Sequence, residues 1–177
     1  MAFDAGAVRS LIREIPNHPR FKGVTFYDLT TLFKDDGGFA SCVDELASRA
    51  GNLGIDKVAG IEARGFALSG ALAYRLGRGA ILIRKNGKLP HKTISQDYEL
   101  EYGTETLEMH EDAVSRGQRV AIVDDLLATG GTAKAAAKLI EELGGKVAWI
   151  GVVVELKGLK GREKLDGYDV SSLIEYG

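Results

Sequence analysis

The sequence predicts an α/β protein with a mainly parallel central sheet flanked by helices. Short, almost wholly apolar runs indicate buried strands at residues 57–61, 80–83, 119–123 and 147–154. Before and between these runs, apolar residues recur at helical spacing, which predicts helices at residues 38–50, 66–76 and 131–143. Because strands and helices alternate along the chain, strand–helix–strand units in a parallel sheet account for the order.

Composition suits one domain spanning residues 1–177. Hydrophobic residues make up 45% of the chain and charged residues 27%, as in ordinary globular proteins. The net charge of -2 argues against a general nucleic-acid surface. The sequence has neither a signal-peptide pattern nor a run of ~18 apolar residues that could span a membrane. The single cysteine, Cys42, excludes an internal disulfide and is expected in the core, so we expect a cytoplasmic protein.

The two ends of the chain predict smaller elements. Asp4 is expected to cap a helix whose apolar face extends to Ile15, and Pro16 is expected to end that helix. Residues 24–32 are predicted to be short and extended, and residues 170–176 are predicted to add an edge strand.

Residues 85–103, KNGKLPHKTISQDYELEYG, do not follow the strand–helix pattern. The segment is polar, contains Gly and Pro, and shows little amphipathic period. A loop of this length in a compact domain is usually a functional lid, so we predict a mobile lid here, with a strand returning at 104–109.

The stretch VAIVDDLLATGGTA, residues 120–133, predicts a phosphate site. A strand is expected to end at Asp124 and Asp125, whose side chains should alternate between faces instead of sharing a proton. Behind it, Gly130 and Gly131 allow a tight turn, and the following helix contributes its N-terminal N–H groups. Neither a Walker A motif nor GxGxxG is present, so a phosphate on a sugar fits best, with the aspartates accepting hydrogen bonds from vicinal hydroxyls.

This string resembles the phosphoribosyl pyrophosphate signature of the type I phosphoribosyltransferases, and the members that use adenine match best. Further segments resemble the same family: GVTFYDLTTLF (23–33), GIEARGF (60–66), ILIRKNGKLP (81–90), YELEYGTETLEM (98–109) and ELKGLKGREKL (155–165). The resemblance implies the type I phosphoribosyltransferase fold. It also implies transfer of phosphoribosyl from phosphoribosyl pyrophosphate to adenine, which gives AMP and pyrophosphate, with Mg²⁺ and a homodimer.

The resemblance also assigns the phosphate-binding residues. The 5′-phosphate would bind Ala128, Thr129, Gly130, Gly131 and Thr132. The leaving pyrophosphate would bind Glu62, Ala63, Arg64, Gly65, Arg84, Lys85 and Lys88. Mg²⁺ would be held mainly through the substrate and water. The charge pattern at 84–88 alone would favour a solvated surface, and the resemblance reverses that preference.

Residues 1–33 would form a base-binding segment. Phe26 would stack on one face of adenine and Leu126 would cover the other. Thr25 and Arg64 would contact the edge of the base. Glu101 would manage the purine proton, and Tyr102 would belong to the lid. The catalytic group would then comprise Arg64, Glu101, Asp124 and Asp125. Without the resemblance, Phe26 could be a core aromatic and Glu101 a plain loop carboxylate.

Two residues depart from the family pattern, because Tyr27 stands where a basic residue is expected and Thr31 where proline is common. His18, His91 and His110 show no metal-binding spacing, and the chemistry needs no covalent nucleophile. Two alternatives stay open. One is transfer to another base, such as xanthine or orotate; the other is a regulator that senses phosphoribosyl pyrophosphate.

Overall fold

The structure is a computed structural model that describes residues 3–18, 25–100 and 103–177. The helices are α1 (Ala5–Ser10), α2 (Thr30–Phe33), α3 (Asp36–Ala50), α4 (Arg64–Leu76), α5 (Gly131–Glu142) and α6 (Gly161–Lys164), with a 3-10 turn at Lys157–Leu159. The strands are β1 (Arg13–Ile15), β2 (Phe26–Asp28), β3 (Lys57–Ile61), β4 (Gly79–Lys85), β5 (Thr93–Leu100), β6 (Gly103–His110), β7 (Arg119–Leu127), β8 (Lys146–Leu156) and β9 (Val170–Tyr176).

Within the described residues, seven strands form one sheet in the order β5-β6-β4-β3-β7-β8-β9. Neighbouring strands in the series β4-β3-β7-β8-β9 pair in parallel. β5 and β6 form an antiparallel hairpin, and β6 pairs antiparallel with β4. A separate antiparallel ribbon joins β1 to β2, with Ile15 opposite Phe26. The mainly parallel α/β fold predicted from the sequence is therefore confirmed.

Apolar side chains cover both faces of the sheet. One core cluster brings α3 and α4 against the sheet through residues such as Leu46, Leu68 and Val123. The other brings α5 against it through Ala136, Ile140 and others. Because β7 and β8 are buried on both faces, they read as nearly continuous apolar runs, which is why the sequence identified them.

Several predicted elements are confirmed. The strand at 57–61 has the expected bounds, and α4 ends before Gly77, whose φ of 64° closes the helix. Asp4 caps α1 by accepting hydrogen bonds from the N–H groups of Gly6 and Ala7. Cys42 is buried, and burial raises the pKa of its thiol to about 12. In the part of the chain that the structure describes, no helix is long and apolar enough to cross a membrane.

Four expectations about the elements were wrong. Residues 24–32 were expected to be extended, but within the described residues Phe26–Asp28 forms β2 and Thr30–Phe33 forms α2. Helix α1 stops at Ser10, well before Pro16, because the residues behind it form β1 and pair with β2. Strand β7 does not end at the aspartates but runs to Leu127, because β8 keeps pairing with it as far as Leu127 opposite Glu155. Segment 85–103 is not an irregular loop, since Thr93–Leu100 forms β5 and pairs along its whole length with β6.

Candidate active site

Three neighbouring parallel strands end at the same edge of the sheet and gather the predicted site residues. β3 leads into the turn at Glu62 and Ala63, β4 ends at Lys85, and β7 contains Asp124 and Asp125. The turn lies directly against β7, because a methyl group added at Gly65 would come 2.9 Å from an Asp124 carboxylate oxygen. Ligands of parallel sheets bind at this carboxyl edge, so the fold places the candidate site where it was expected.

The predicted phosphate loop connects β7 to α5. Gly130 has a φ of 78° and is the N-cap of α5, so the backbone turns sharply just before the helix begins. A cavity of about 160 Å³ opens here, and its walls include Asp124, Leu126, Thr129 and Thr132. The cavity therefore joins a carboxylate, two hydroxyl groups and a helix N-terminus, which suits a phosphorylated sugar.

The two aspartates are held differently. Asp125 is buried, and its carboxylate accepts a hydrogen bond from the Nε of Arg64 in an ion pair. Asp124 accepts a hydrogen bond of 2.9 Å from the Asp125 backbone N–H. Burial raises the pKa of Asp124 well above its usual value, and the negative charge of Asp125 raises it further, while Arg64 opposes the shift. The two carboxyl groups thus influence each other electrostatically, but their hydrogen-bond partners differ, since Asp125 pairs with Arg64 and Asp124 accepts from a backbone N–H.

The cationic residues that were predicted to bind pyrophosphate lie around one carboxylate, that of Glu62. Glu62 accepts hydrogen bonds from Lys88 Nζ at 2.7 Å, from Arg84 Nε at 3.2 Å and from the Lys85 N–H at 3.1 Å. These donors, Lys88 first, lower the pKa of Glu62. Arg84 and Lys88 therefore lie together as expected, and one carboxylate offsets two positive charges. Within the described contacts, the Lys85 ammonium group instead binds Glu105, at 2.9 Å.

Glu108 organises the turn after β4, and the sequence did not point to it. This carboxylate is 3% exposed and accepts three backbone hydrogen bonds, from Gly87 at 3.1 Å, Lys88 at 2.8 Å and Leu89 at 2.8 Å. Burial raises the pKa of Glu108, but the three N–H donors outweigh burial and lower it overall. An acid inside the apolar run TLEM was the available signal.

Tyr98 connects the β5–β6 hairpin to the phosphate loop, and it too was missed. Its hydroxyl donates to Glu105 at 2.8 Å, and its ring would lie 3.6 Å from a methyl group added at Gly131 of the phosphate loop. Burial and the interaction with Glu105 raise the pKa of Tyr98 to about 12, so the hydroxyl stays protonated. A chain of polar contacts therefore runs from Lys85 through Glu105 to Tyr98, which lies beside the phosphate loop.

On the base side, Phe26 and Thr25 are half-buried, and Phe26 packs against His18 with ring centroids 4.9 Å apart. On this ribbon Asp28 accepts hydrogen bonds from Thr30, which lower the pKa of Asp28, and the charge of Arg64 lowers it further. Leu126 is half-buried and packs against the core cluster of α3 and α4. Glu101 and Tyr102 lie outside the described residues.

The two departures from the family pattern have structural contacts. Tyr27 packs against Tyr176, with ring centroids 4.0 Å apart. Thr31 donates its hydroxyl hydrogen to the Leu11 carbonyl at 2.6 Å, which ties α2 to the end of α1. Neither residue therefore needs a ligand to account for its position.

Comparison with known proteins gives a consistent family. The phosphoribosyl transferase domain matches residues 34–175. A protein of Solibacter usitatus named adenine phosphoribosyltransferase is 53% identical over 169 residues, which cover 96% of this chain and 97% of the relative. The crystal structure of adenine phosphoribosyltransferase from Thermoanaerobacter pseudethanolicus matches with a TM-score of 0.94 at 52% identity, covering 98% of this chain and 100% of that one.

A third relative comes from Saccharomyces cerevisiae. The structure of its adenine phosphoribosyltransferase, complexed with an imino-altritol bisphosphate and adenine, matches with a TM-score of 0.89 at 37% identity. The match covers 96% of this chain and 97% of the yeast chain. Sequence, fold and domain match agree over nearly the whole length. The chain therefore belongs to the phosphoribosyltransferase family and, within it, to the adenine phosphoribosyltransferases.

Proposed function

We propose that the chain transfers the phosphoribosyl group of phosphoribosyl pyrophosphate to adenine and releases AMP and pyrophosphate. The observation that carries the proposal is the cavity at the end of β7, where Asp124 faces the phosphate loop beside the Arg64–Asp125 ion pair. The yeast relative's complex with adenine supports adenine as the base.

Each part of the sugar substrate has a partner in this arrangement. The 5′-phosphate binds the N–H groups and hydroxyls of residues 128–132, where the α5 N-terminus favours negative charge. The ribose hydroxyls donate to Asp124 and Asp125. The pyrophosphate lies near the turn at 62–65, within reach of Arg84 and Lys88, whose charges Glu62 holds in place.

The reaction exchanges one bond for another at the sugar carbon C1′. The bond from C1′ to the pyrophosphate oxygen breaks and its electron pair leaves with pyrophosphate. A bond forms between C1′ and adenine N9, and the N9 proton leaves the base. Positive charge builds up on the sugar as the bond breaks, and the Asp124 and Asp125 carboxylates stabilise it. Adenine stacks between Phe26 and Leu126, and Glu101 receives the proton, as the resemblance implies.

The donor set fits Mg²⁺ that is bound largely by the substrate. Among the described residues, no group of three His, Cys, Asp or Glu side chains could hold a metal, but Asp124 and Asp125 offer hard carboxylate oxygens. Mg²⁺ commonly uses one or two carboxylates together with substrate phosphates and water. When bound, the ion neutralises negative charge on the leaving pyrophosphate.

The proposal also includes a cytoplasmic enzyme that acts as a homodimer, as the family resemblance implies. Purified protein should be incubated with phosphoribosyl pyrophosphate, Mg²⁺ and, separately, adenine, hypoxanthine, guanine, xanthine or orotate. We expect AMP and an equal amount of pyrophosphate with adenine, and much slower turnover of the other bases. Equal turnover of hypoxanthine would refute the choice of adenine, and no nucleotide from any base would refute the transferase.

A further inference from the structure

Gly161, the first residue of α6, packs backbone to backbone against the phosphate loop. A methyl group added at Gly161 would lie under 3.0 Å from the Ala128 carbonyl oxygen and 3.1 Å from the Gly130 nitrogen. A methyl group added at Gly130 would likewise lie under 3.0 Å from the Gly161 carbonyl oxygen. These contacts are between backbone atoms, so no side chain can rotate away to relieve them. The position of Gly161 therefore fixes the position of the loop backbone at residues 128–130.

The next residue, Arg162, is fixed by a buried carboxylate. Its Nε lies 2.8 and 2.9 Å from the two Glu155 oxygens, and its Nη2 lies 2.7 Å from one of them. Its Nη1 donates to the Val170 carbonyl at 2.7 Å, and Ser172 donates to Glu155 at 2.9 Å. Glu155 is only 3% exposed, so the carboxylate side of this multidentate, charge-assisted contact is shielded from water, whereas the Arg162 side chain is 43% exposed.

Glu155 also belongs to the strand that supports the entrance of the loop. In the register of β7 and β8, Glu155 is opposite Leu127, the last residue before the loop. The hydrogen bond from Arg162 is the main cause that lowers the pKa of Glu155, so the pair stays ionised at neutral pH. One carboxylate thus ties the strand beneath the loop to the segment that packs against it.

We propose that Gly161 and the Glu155–Arg162 ion pair are positioning elements for the phosphate loop. They hold the backbone of residues 128–130 in the position where the loop N–H groups face a terminal phosphate. They do not touch the ligand, and they set affinity for the phosphate while leaving base and sugar recognition unchanged. This inference rests on the proposed function, since it assigns the loop to the 5′-phosphate.

Two glycines of the same segment give a matched test. Gly161→Ala forces the methyl group into the loop backbone, whereas a methyl group added at Gly158 meets nothing within 4 Å. We expect Gly161→Ala to weaken AMP binding about tenfold, measured by calorimetry, and to leave adenosine binding within about twofold of the wild type. Gly158→Ala should change neither affinity. Thermal unfolding of both variants checks that the fold is intact.

A second pair of variants covers the case in which Gly161→Ala does not fold. Arg162→Lys keeps a positive charge but loses the planar fork, so AMP binding should weaken about threefold while adenosine binding is unchanged. Arg75→Lys alters an exposed pair with Asp44 and is the control. Wild-type AMP affinity in folded Gly161→Ala, or in Arg162→Lys, would overturn the inference, as would equal losses for AMP and adenosine. A wild-type chain that binds no AMP would instead overturn the proposed function, and the inference with it.

Discussion

Arg64, the first residue of α4, donates its Nε–H to the buried carboxylate of Asp125 on β7. The charge of Arg64 also lowers the pKa of Asp28 on β2 and opposes the rise in the pKa of Asp124. One guanidinium group therefore acts on the base side and on the sugar side of the candidate site. Because its side chain is 42% exposed, it can still approach a bound ligand.

Replacing either aspartate should impair transfer without unfolding the chain. We expect Asp124→Asn and Asp125→Asn each to lower kcat/KM about 100-fold, on the order of 3 kcal/mol of transition-state stabilisation. The amide keeps the shape of the side chain but removes the charge that stabilises the developing positive sugar. Asp44→Asn, which changes an exposed pair with Arg75, is the control and should leave kcat/KM unchanged. Wild-type kinetics in both site variants would contradict the role in ribose binding.

The pH dependence should report the ionisation of Asp124. Burial and the Asp125 charge raise the pKa of Asp124, so kcat/KM should fall as the pH drops through that raised value. Arg64→Gln removes the positive charge that favours the ionised form, so the pKa should rise further and the acid limb should move to higher pH. Full pH profiles of both proteins measure the shift. An acid limb that stays in place, or moves to lower pH, would contradict this assignment.

Phe26→Ala should separate stacking from core packing. If Phe26 stacks on adenine, the KM for adenine should rise by a factor that corresponds to about 1–3 kcal/mol. The KM for phosphoribosyl pyrophosphate should stay near the wild-type value and is the internal control. A variant that simply unfolds, as judged by thermal denaturation, would support a core role for the ring instead.

The β5–β6 hairpin should tighten when the substrates bind. Residues 94–99 of β5 alternate between half-buried and exposed, whereas β6 buries Leu107, Glu108 and Met109. We expect amide exchange in free enzyme to be faster at 93–100 than at 107–109. Exchange at 93–100 should slow with phosphoribosyl pyrophosphate plus an unreactive adenine analogue, because closure excludes water from the reacting sugar.

Tyr98→Phe should weaken that closure, because it removes the hydroxyl that donates to Glu105 beside the phosphate loop. The control is Glu111→Gln, which alters an exposed ion pair with Lys92 next to the outer ends of β5 and β6. This variant should leave the protection of the hairpin by ligand unchanged. Protection that is already complete without ligand, and that ligand does not change, would show a fixed structural element instead of a lid.

The sequence predicted the central sheet well because its strands are buried on both faces. β3 contains the apolar run at 58–61 and β8 the apolar run at 147–154, and α4 carries a regular apolar stripe that Gly77 ends. An extended segment was predicted around β2, but β1 and its pairing with β2 were not, since short strands with exposed residues gain their stability from pairing between distant segments.

The candidate site was predicted in part. The phosphate loop and the aspartates stand in one contiguous string, so local chemistry was enough to identify them. Glu105, Glu108 and Tyr98 were missed because their partners lie on other turns and strands, which only the folded chain brings together. The alternation of Ile94, Tyr98 and Leu100 was a signal for β5 that the polar composition of the segment obscured.

In the proposed complex, the phosphorylated sugar lies between the phosphate loop and the cations Arg84 and Lys88. A crystal structure with AMP, pyrophosphate and Mg²⁺ would reveal this arrangement. We expect the AMP phosphate on the N–H groups of residues 128–132, its ribose hydroxyls on Asp124 and Asp125, and pyrophosphate beside Arg84 and Lys88. An AMP phosphate bound away from residues 128–132, or a ribose that contacts neither aspartate, would contradict it.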